Sequence, residues 1–175
     1  MVRRRVRSKG VDVLLYALRL LLDRGITSWN LQILGDGPLR SEYEQLTQAL
    51  GLEDHVRFPG YLPNPYPWMA SADVFVHPAR WEGFGMVIVE AVGLVYLLWR
   101  RVVQGGPKDI LANGQYRILV PPEDPVALAN AMEDLILDES KRENFGKLAR
   151  RRVKFYHPEH ITEIVLEIEE YICFY

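Results

Sequence analysis

Two glutamates, Glu82 and Glu90, bracket a glycine-bearing run, Gly83-Phe84-Gly85-Met86-Val87, with seven residues between them. A β-type run, Val74 to Val76, ends shortly before Glu82, and helical composition begins near Gly85. The order strand, loop, helix places backbone N–H groups and the positive end of a helix dipole at the carboxyl edge of a sheet. That edge is where open α/β sheets bind ligands. Carboxylates are good acceptors for sugar and ribose hydroxyls. Glu82, in the loop, suits hydroxyls close to an anionic group, and Glu90, inside the helix, suits hydroxyls further along. By spacing alone, a solvated loop acid and an ordinary helix acid fit equally well.

Other segments offer chemistry of their own. Arg3, Arg4, Arg5, Arg7 and Lys9 make a basic start, which fits an anion site or a solvated, membrane-attracted arm. Gly35-Asp36-Gly37-Pro38 reads as a tight turn at the end of a strand. His77 reads as a strand-end histidine rather than a base. His157 and His160 lie three apart with no third ligand nearby, so no metal site is expected. Trp68 and Trp81 can stack on a base or sugar, but packing at a rim or core is the commoner use of such rings.

The elements that must position these residues follow from periodicity. Val11 to Leu22 carries apolar residues at helical spacing, with Gly25 as its stop. Trp29 to Leu34 reads as a buried strand, Leu39 to Leu50 as a helix closed by Gly51, and Val56 to Phe58 as a strand. Tyr66 to Ala72 is a short helix, Val74 to Val76 a strand, Met86 to Gly93 a helix and Ile118 to Val120 a late strand. Beyond Pro125 the pattern is helical: Val126 to Leu137, Ser140 to Val153 and His160 to Tyr171. Strands alternating with helices require crossover connections, hence an α/β, Rossmann-like fold with a parallel sheet flanked by helices. The core is expected over about 1–122, with a helical C-terminal segment over about 125–175. With 175 residues, 49% hydrophobic and 25% charged, the chain is of single-domain size. One cysteine, Cys173, excludes a disulfide framework and points to a reducing, cytoplasmic setting. The net charge of −2 gives no global attraction to nucleic acid. The longest nearly apolar stretch, Met86 to Trp99, is broken by Glu90 and falls short of the ~20 residues of a membrane span.

Glu82-Gly83-Phe84-Gly85 with Glu90-Ala91 resembles the paired-glutamate signature of retaining glycosyltransferases of the GT-B fold, in particular family 4. Further segments match the C-terminal domain of that family in order: Lys9-Gly10-Val11-Asp12, Leu34-Gly35-Asp36-Gly37-Pro38, Val56-Arg57-Phe58-Pro59-Gly60, Ala72-Asp73-Val74-Phe75-Val76, Gly105-Gly106-Pro107, and Leu119-Val120-Pro121-Pro122-Glu123-Asp124-Pro125. The resemblance covers about Arg4 to Leu137. It implies that Glu90 binds the nucleotide ribose, that Glu82 and the backbone of Gly83, Phe84 and Gly85 bind the donor sugar, and that the amides of Met86 and Val87 bind the diphosphate. Arg4 and Lys9 match the basic pair that neutralises the leaving diphosphate, and with Glu82 form the catalytic set. Gly35, Gly37, Gly60 and Tyr61 would line the nucleobase pocket. The donor would be a nucleotide diphosphate sugar, with no metal and no further cofactor. Residues 1–175 would be a single C-terminal GT-B domain without the N-terminal acceptor domain. Partners would be the nucleotide sugar and a separate N-terminal half, through which peripheral membrane contact would be made. The competing reading is a noncatalytic fragment or nucleotide-binding module.

The chain departs from this pattern in three places. Leu94-Val95-Tyr96-Leu97-Leu98-Trp99-Arg100-Arg101 stands where the family has glycine, proline and a small apolar strand. One base inserted into one possible coding of these eight residues restores Leu-Gly-Leu-Pro-Val-Val-Ala-Thr, so Val95 to Arg101 reads as a frame-shifted patch. Buried unpaired arginines are costly, and a slipped or frayed strand is expected there. Arg117, in place of a glycine, is the second departure. Arg3 and Arg5, in place of a glycine and an apolar residue, are the third.

Overall fold

A computed structural model describes residues 9–80, 96–100 and 117–144. Its elements are α1 (Val11–Asp23), β1 (Leu31–Leu34), α2 (Arg40–Ala49), β2 (Val56–Gly60), α3 (Tyr66–Ala70), β3 (Val74–His77), β4 (Tyr96–Arg100), β5 (Arg117–Val120) and α4 (Pro125–Leu137). The segments preceding Lys9, from Trp81 to Val95, from Arg101 to Tyr116 and beyond Glu143-Asn144 lie outside the described residues. The expected helices Met86 to Gly93 and His160 to Tyr171 fall there, as does most of Ser140 to Val153, of which residues 139–144 are helical.

Helix α1 is the centre of the core. Val11, Val13, Leu14, Leu15, Ala17, Leu18 and Leu21 are buried along it, an apolar surface wide enough to meet neighbours on more than one side. It packs against α4, whose Leu128, Ala129, Ala131, Met132 and Leu135 are buried, and Arg24 to Glu133 at 2.6 Å ties the two helices at the surface. Arg19 donates to the carbonyl of Leu50 at 3.1 Å, joining α1 to the end of α2. Both α1 and α2 end in the two-bond pattern of a Schellman motif. Ile26 N–H reaches Leu21 O and Gly25 N–H reaches Leu22 O in one; Leu52 N–H reaches Thr47 O and Gly51 N–H reaches Gln48 O in the other. Helix α4 starts as sequence rules dictate, with Pro125 in the first turn and the Asp124 carboxylate accepting from Ala127 N–H at 2.8 Å.

All pairing among the described strands is parallel. The described strands form two pieces, β1-β2 and β3-β4-β5, where the sequence suggested one sheet. Pairing of β1 with β2 shifts register between Gln32 and Leu34, opposite Phe58-Pro59. Pro59 has no N–H to give the ladder, and the irregularity accommodates it. Strand β1 is shorter than the expected Trp29 to Leu34. Trp29 lies before it, donating from Nε1 to Ile26 O at 2.8 Å and stacking on His55 at 4.7 Å between centroids.

The expectation of a slipped strand at Tyr96 to Arg100 is not met. β4 is the central strand of its piece, pairing in unbroken register from Val74↔Tyr96 to His77↔Trp99 on one side and from Leu97↔Arg117 to Arg100↔Val120 on the other. A parallel ladder is made by backbone groups, and Tyr, Leu and Trp are compatible with it.

The core account is checked by truncation. Leu18→Ala should destabilise the chain by about 2–5 kcal/mol in urea unfolding, whereas Tyr16→Ala, on the exposed face of the same helix, should cost less than about 0.5 kcal/mol.

Candidate functional site

Two clusters of side chains and turns form at the carboxyl ends of the strands. The first surrounds Arg80, three residues beyond β3. Its guanidinium bonds the Asp12 carboxylate through both terminal nitrogens, Nη1 to Oδ1 at 2.8 Å and Nη2 to Oδ2 at 2.6 Å. The same group bonds Glu123, Nε to Oε1 at 2.6 Å and Nη2 to Oε2 at 3.0 Å. One planar cation therefore joins the first turn of α1, the loop leaving β3 and the turn leaving β5. Arg80 is only 12% exposed, which leaves little solvent to compete.

The charges are tuned accordingly. Hydrogen bonds donated to Asp12, then to Glu123, raise the Arg80 pKa above its ordinary value against the opposing effect of burial. For Asp12, burial pushes the carboxyl up, but the Arg80 hydrogen bond and charge, with backbone N–H bonds at Val13 and Asp12, outweigh it and leave the group below 3.8. Glu123 has φ +54°, the left-handed region that a residue with a Cβ enters at a cost, and the bonds to Arg80 hold it there.

Lys9 and Gly10 lead into this cluster. Gly10 is the N-cap of α1 at φ +64° and is buried, so only glycine enters the helix in this way without strain. Lys9 is half-buried at the positive end of α1.

The second cluster joins the ends of β1 and β2. Gly35 N–H donates to Gly60 O at 2.7 Å, bringing together two of the glycines that the sequence singled out. Gly37 N–H donates to Asp36 Oδ1 at 2.8 Å, forming the tight turn. Arg40 spans the junction, reaching Phe58 O at 3.0 Å, Asp36 at 3.2 Å and Glu44 at 2.6 Å. Gly60 has φ +89°, and a Cβ there would stand 3.3 Å from Arg40 Nη1. Tyr61 follows with 73% of its surface exposed. A glycine-lined turn with a free aromatic face beside it suits a flat heterocycle.

Gly35, Gly37, Gly60 and Tyr61 thus sit together, and Lys9 sits beside the Arg80 cluster. Arg4, Glu82, Gly83, Phe84, Gly85, Met86, Val87 and Glu90 lie outside the described residues. Arg80 fixes the chain two residues before Glu82. Its links to Asp12 and Glu123 are what sequence reasoning missed, although each residue stands within a segment that matched the family pattern. His77 is buried at the end of β3, with its ring 6.4 Å from Phe75, as a strand-end histidine. Trp68 is partly exposed, consistent with a rim position. Among the described residues, no group of three or more His, Cys, Asp or Glu side chains could hold a metal, and no helix is long and apolar enough to cross a membrane.

Comparison with known proteins adds the following. The family model described as glycosyl transferases group 1 matches residues 1–152. An exopolysaccharide phosphotransferase of Streptomyces coelicolor is 33% identical over 150 residues, 85% of this chain and 16% of that protein. The capsular polysaccharide biosynthesis glycosyltransferase CapM of Staphylococcus aureus is 32% identical over 161 residues, 87% of this chain and 40% of that protein. The crystal structure of HepE from Anabaena in complex with UDP superposes with a TM-score of 0.73 at 26% identity, covering 98% of this chain and 48% of that one. The chain spans less than half the length of each.

Stability should follow the Arg80 cluster. Asp12 carries a lowered folded-state pKa, so its stabilisation is complete well above pH 3.8 and is lost as pH falls through the folded value below that. Asp12→Asn should lower stability at pH 7 by about 1–3 kcal/mol, and the difference from the parent chain should shrink as melts are taken into the acid range.

Proposed function

The chain belongs to the glycosyl transferases group 1 family, and from that premise we propose that it is the nucleotide-sugar-binding half of a retaining glycosyltransferase. The reaction moves a hexosyl group from a nucleoside diphosphate to a sugar or lipid-linked acceptor. The observation that carries this reading is the junction of Gly35 with Gly60 beside exposed Tyr61. The buried glycine junction fixes half-buried Gly37 and the exposed Tyr61 ring at the carboxyl edge, where a nucleobase can lie against them, a few residues from α2.

The division of labour follows from the chemistry. The diphosphate gains charge as the glycosidic bond breaks, and fixed cations or dipoles must stabilise that charge. Lys9, at the positive end of α1, and Arg4 supply cations. Met86 and Val87 supply amides. Glu90 accepts from the ribose, and Glu82, with the backbone of Gly83, Phe84 and Gly85, holds the sugar. The Arg80 cluster fixes the start of α1 and the start of the Glu82 loop relative to each other, so sugar and diphosphate are held by one rigid frame. The acceptor is held by an N-terminal half, which also makes peripheral contact with the cytoplasmic side of a membrane when the acceptor is lipid-linked.

Calorimetric titration with UDP and with GDP tests the site. One nucleotide should bind and raise the melting temperature. Lys9→Ala should weaken binding by about tenfold, the worth of one charge-assisted hydrogen bond, with a loss of similar size from Glu90→Gln. Affinities unchanged by both substitutions would refute the assignment.

A further inference from the structure

Arg40 opens α2, and its guanidinium is divided among three segments. Nε donates to Glu44 Oε1 at 2.6 Å within α2, Nη1 to Asp36 Oδ2 at 3.2 Å in the turn leaving β1, and Nη2 to Phe58 O at 3.0 Å in β2. Acceptors on three segments fix both the position and the plane of the group. The backbone closes a ring with the side chain. Arg40 N–H donates to Gly37 O at 3.1 Å, Gly37 N–H donates to Asp36 Oδ1 at 2.8 Å, and the other oxygen of that carboxylate returns to Arg40. Gly37 is therefore held at both its carbonyl and its amide by Arg40 and its ion pair.

The same guanidinium sets the facing segment. Phe58 lies two residues before Gly60, whose lack of a side chain leaves room for Arg40: a Cβ there would stand 3.3 Å from Nη1 and 4.0 Å from Asp36 Oδ2. Tyr61 follows Gly60 directly. Gly37 and Tyr61 thus take their separation from Arg40 as well as from the Gly35 N–H to Gly60 O bond. Stability is not what the ion pairs mainly provide. The three charged side chains are 38–51% exposed, and pairs open to water contribute little to folding, while ordering a long side chain costs entropy. What they fix is geometry. Lysine carries the same charge but has no planar fork to share among three acceptors.

We propose that Arg40 is a positioning residue for the nucleoside: it sets the gap between Gly37 and Tyr61 that receives the base, and it does not touch the phosphates. The proposal rests on the nucleotide-sugar reading of this edge. It divides the donor site into two separately braced parts. Arg40 bonds to α2 and to the ends of β1 and β2, whereas Arg80 bonds to α1 and to the turn leaving β5. Loss of the Arg40 fork therefore costs affinity for the nucleoside and leaves affinity for the diphosphate in place.

Calorimetric titration of the 175-residue chain with UDP, GDP and inorganic pyrophosphate tests it, on the parent and on Arg40→Lys, Arg40→Gln and Arg19→Gln. Arg19 is the control, because it also bonds a backbone carbonyl, Leu50 O, and an acid four residues away, Asp23, but at the opposite end of α2. Both Arg40 variants should bind the nucleotide that the parent binds about tenfold more weakly, and pyrophosphate within about twofold of the parent. Arg19→Gln should change neither. Amide exchange gives a readout without ligand. Arg40→Lys should speed exchange in the peptide carrying Gly35 and Gly37 by about fivefold and leave the Leu128–Leu135 peptide at the parent rate. A parent chain that binds neither nucleotide removes the reading on which the proposal rests. A parent that binds, with an Arg40→Lys chain that binds equally well, overturns the proposal alone. Equal losses of nucleotide and pyrophosphate affinity would also overturn it, by making Arg40 a phosphate cation or a general brace. So would lost nucleotide affinity with unchanged exchange, which would make Arg40 a direct contact of the ligand.

Discussion

The Arg80 guanidinium is the joint on which the carboxyl edge of the larger sheet piece depends. A loop leaving a strand is free to take many directions, and three segments distant in sequence meet here. Asp12 and Arg80 are 68 residues apart in the chain, and Arg80 and Glu123 are 43 apart. Four hydrogen bonds from one planar group remove that freedom. The arrangement also explains the backbone of Glu123, whose left-handed conformation aims its carboxylate at Arg80. The costs of that conformation and of burying part of Asp12 are offset by the ion cluster. Lysine could not replace Arg80, because a point charge cannot serve two carboxylates with this fork.

Beneath the joint, α1 does two jobs. Its buried residues hold α4 on one side, while its first turn carries Gly10 and Asp12 to the carboxyl edge. The same helix that organises the core therefore delivers Lys9 to the edge where the diphosphate is proposed to lie. Gly35 and Gly60 do the corresponding work for β1 and β2, where Arg40 replaces Arg80 as the cation that spans the strand ends. Both halves of the edge are thus built on one plan, in which an arginine crosses between segments beside a buried glycine.

The helices were legible because their signals are local. Apolar spacing set α1, glycines marked the ends of α1 and α2, and Asp124-Pro125 marked the start of α4. The glycine turns were legible for the same reason. The Arg80 cluster was not, because its partners are distant in sequence and each acid alone looks like an ordinary surface carboxylate. Tyr96 to Arg100 was misjudged for the opposite reason: side-chain chemistry that departs from a family pattern suggested a broken strand, whereas the parallel ladder is written in the backbone. The division of the strands into two pieces was also illegible, since no local pattern records which strand edges meet.

The central claim is that the carboxyl ends of β1 and β2 hold the base of a nucleoside diphosphate, with the diphosphate toward the start of α1. Photolabelling with azido-uridine and azido-guanosine diphosphates, followed by mapping of the modified peptide, tests it directly. The account expects label on the peptides carrying Gly35-Asp36-Gly37 or Gly60-Tyr61, suppressed by excess unlabelled nucleotide. Suppressible label elsewhere, or no suppressible label at all, would contradict it.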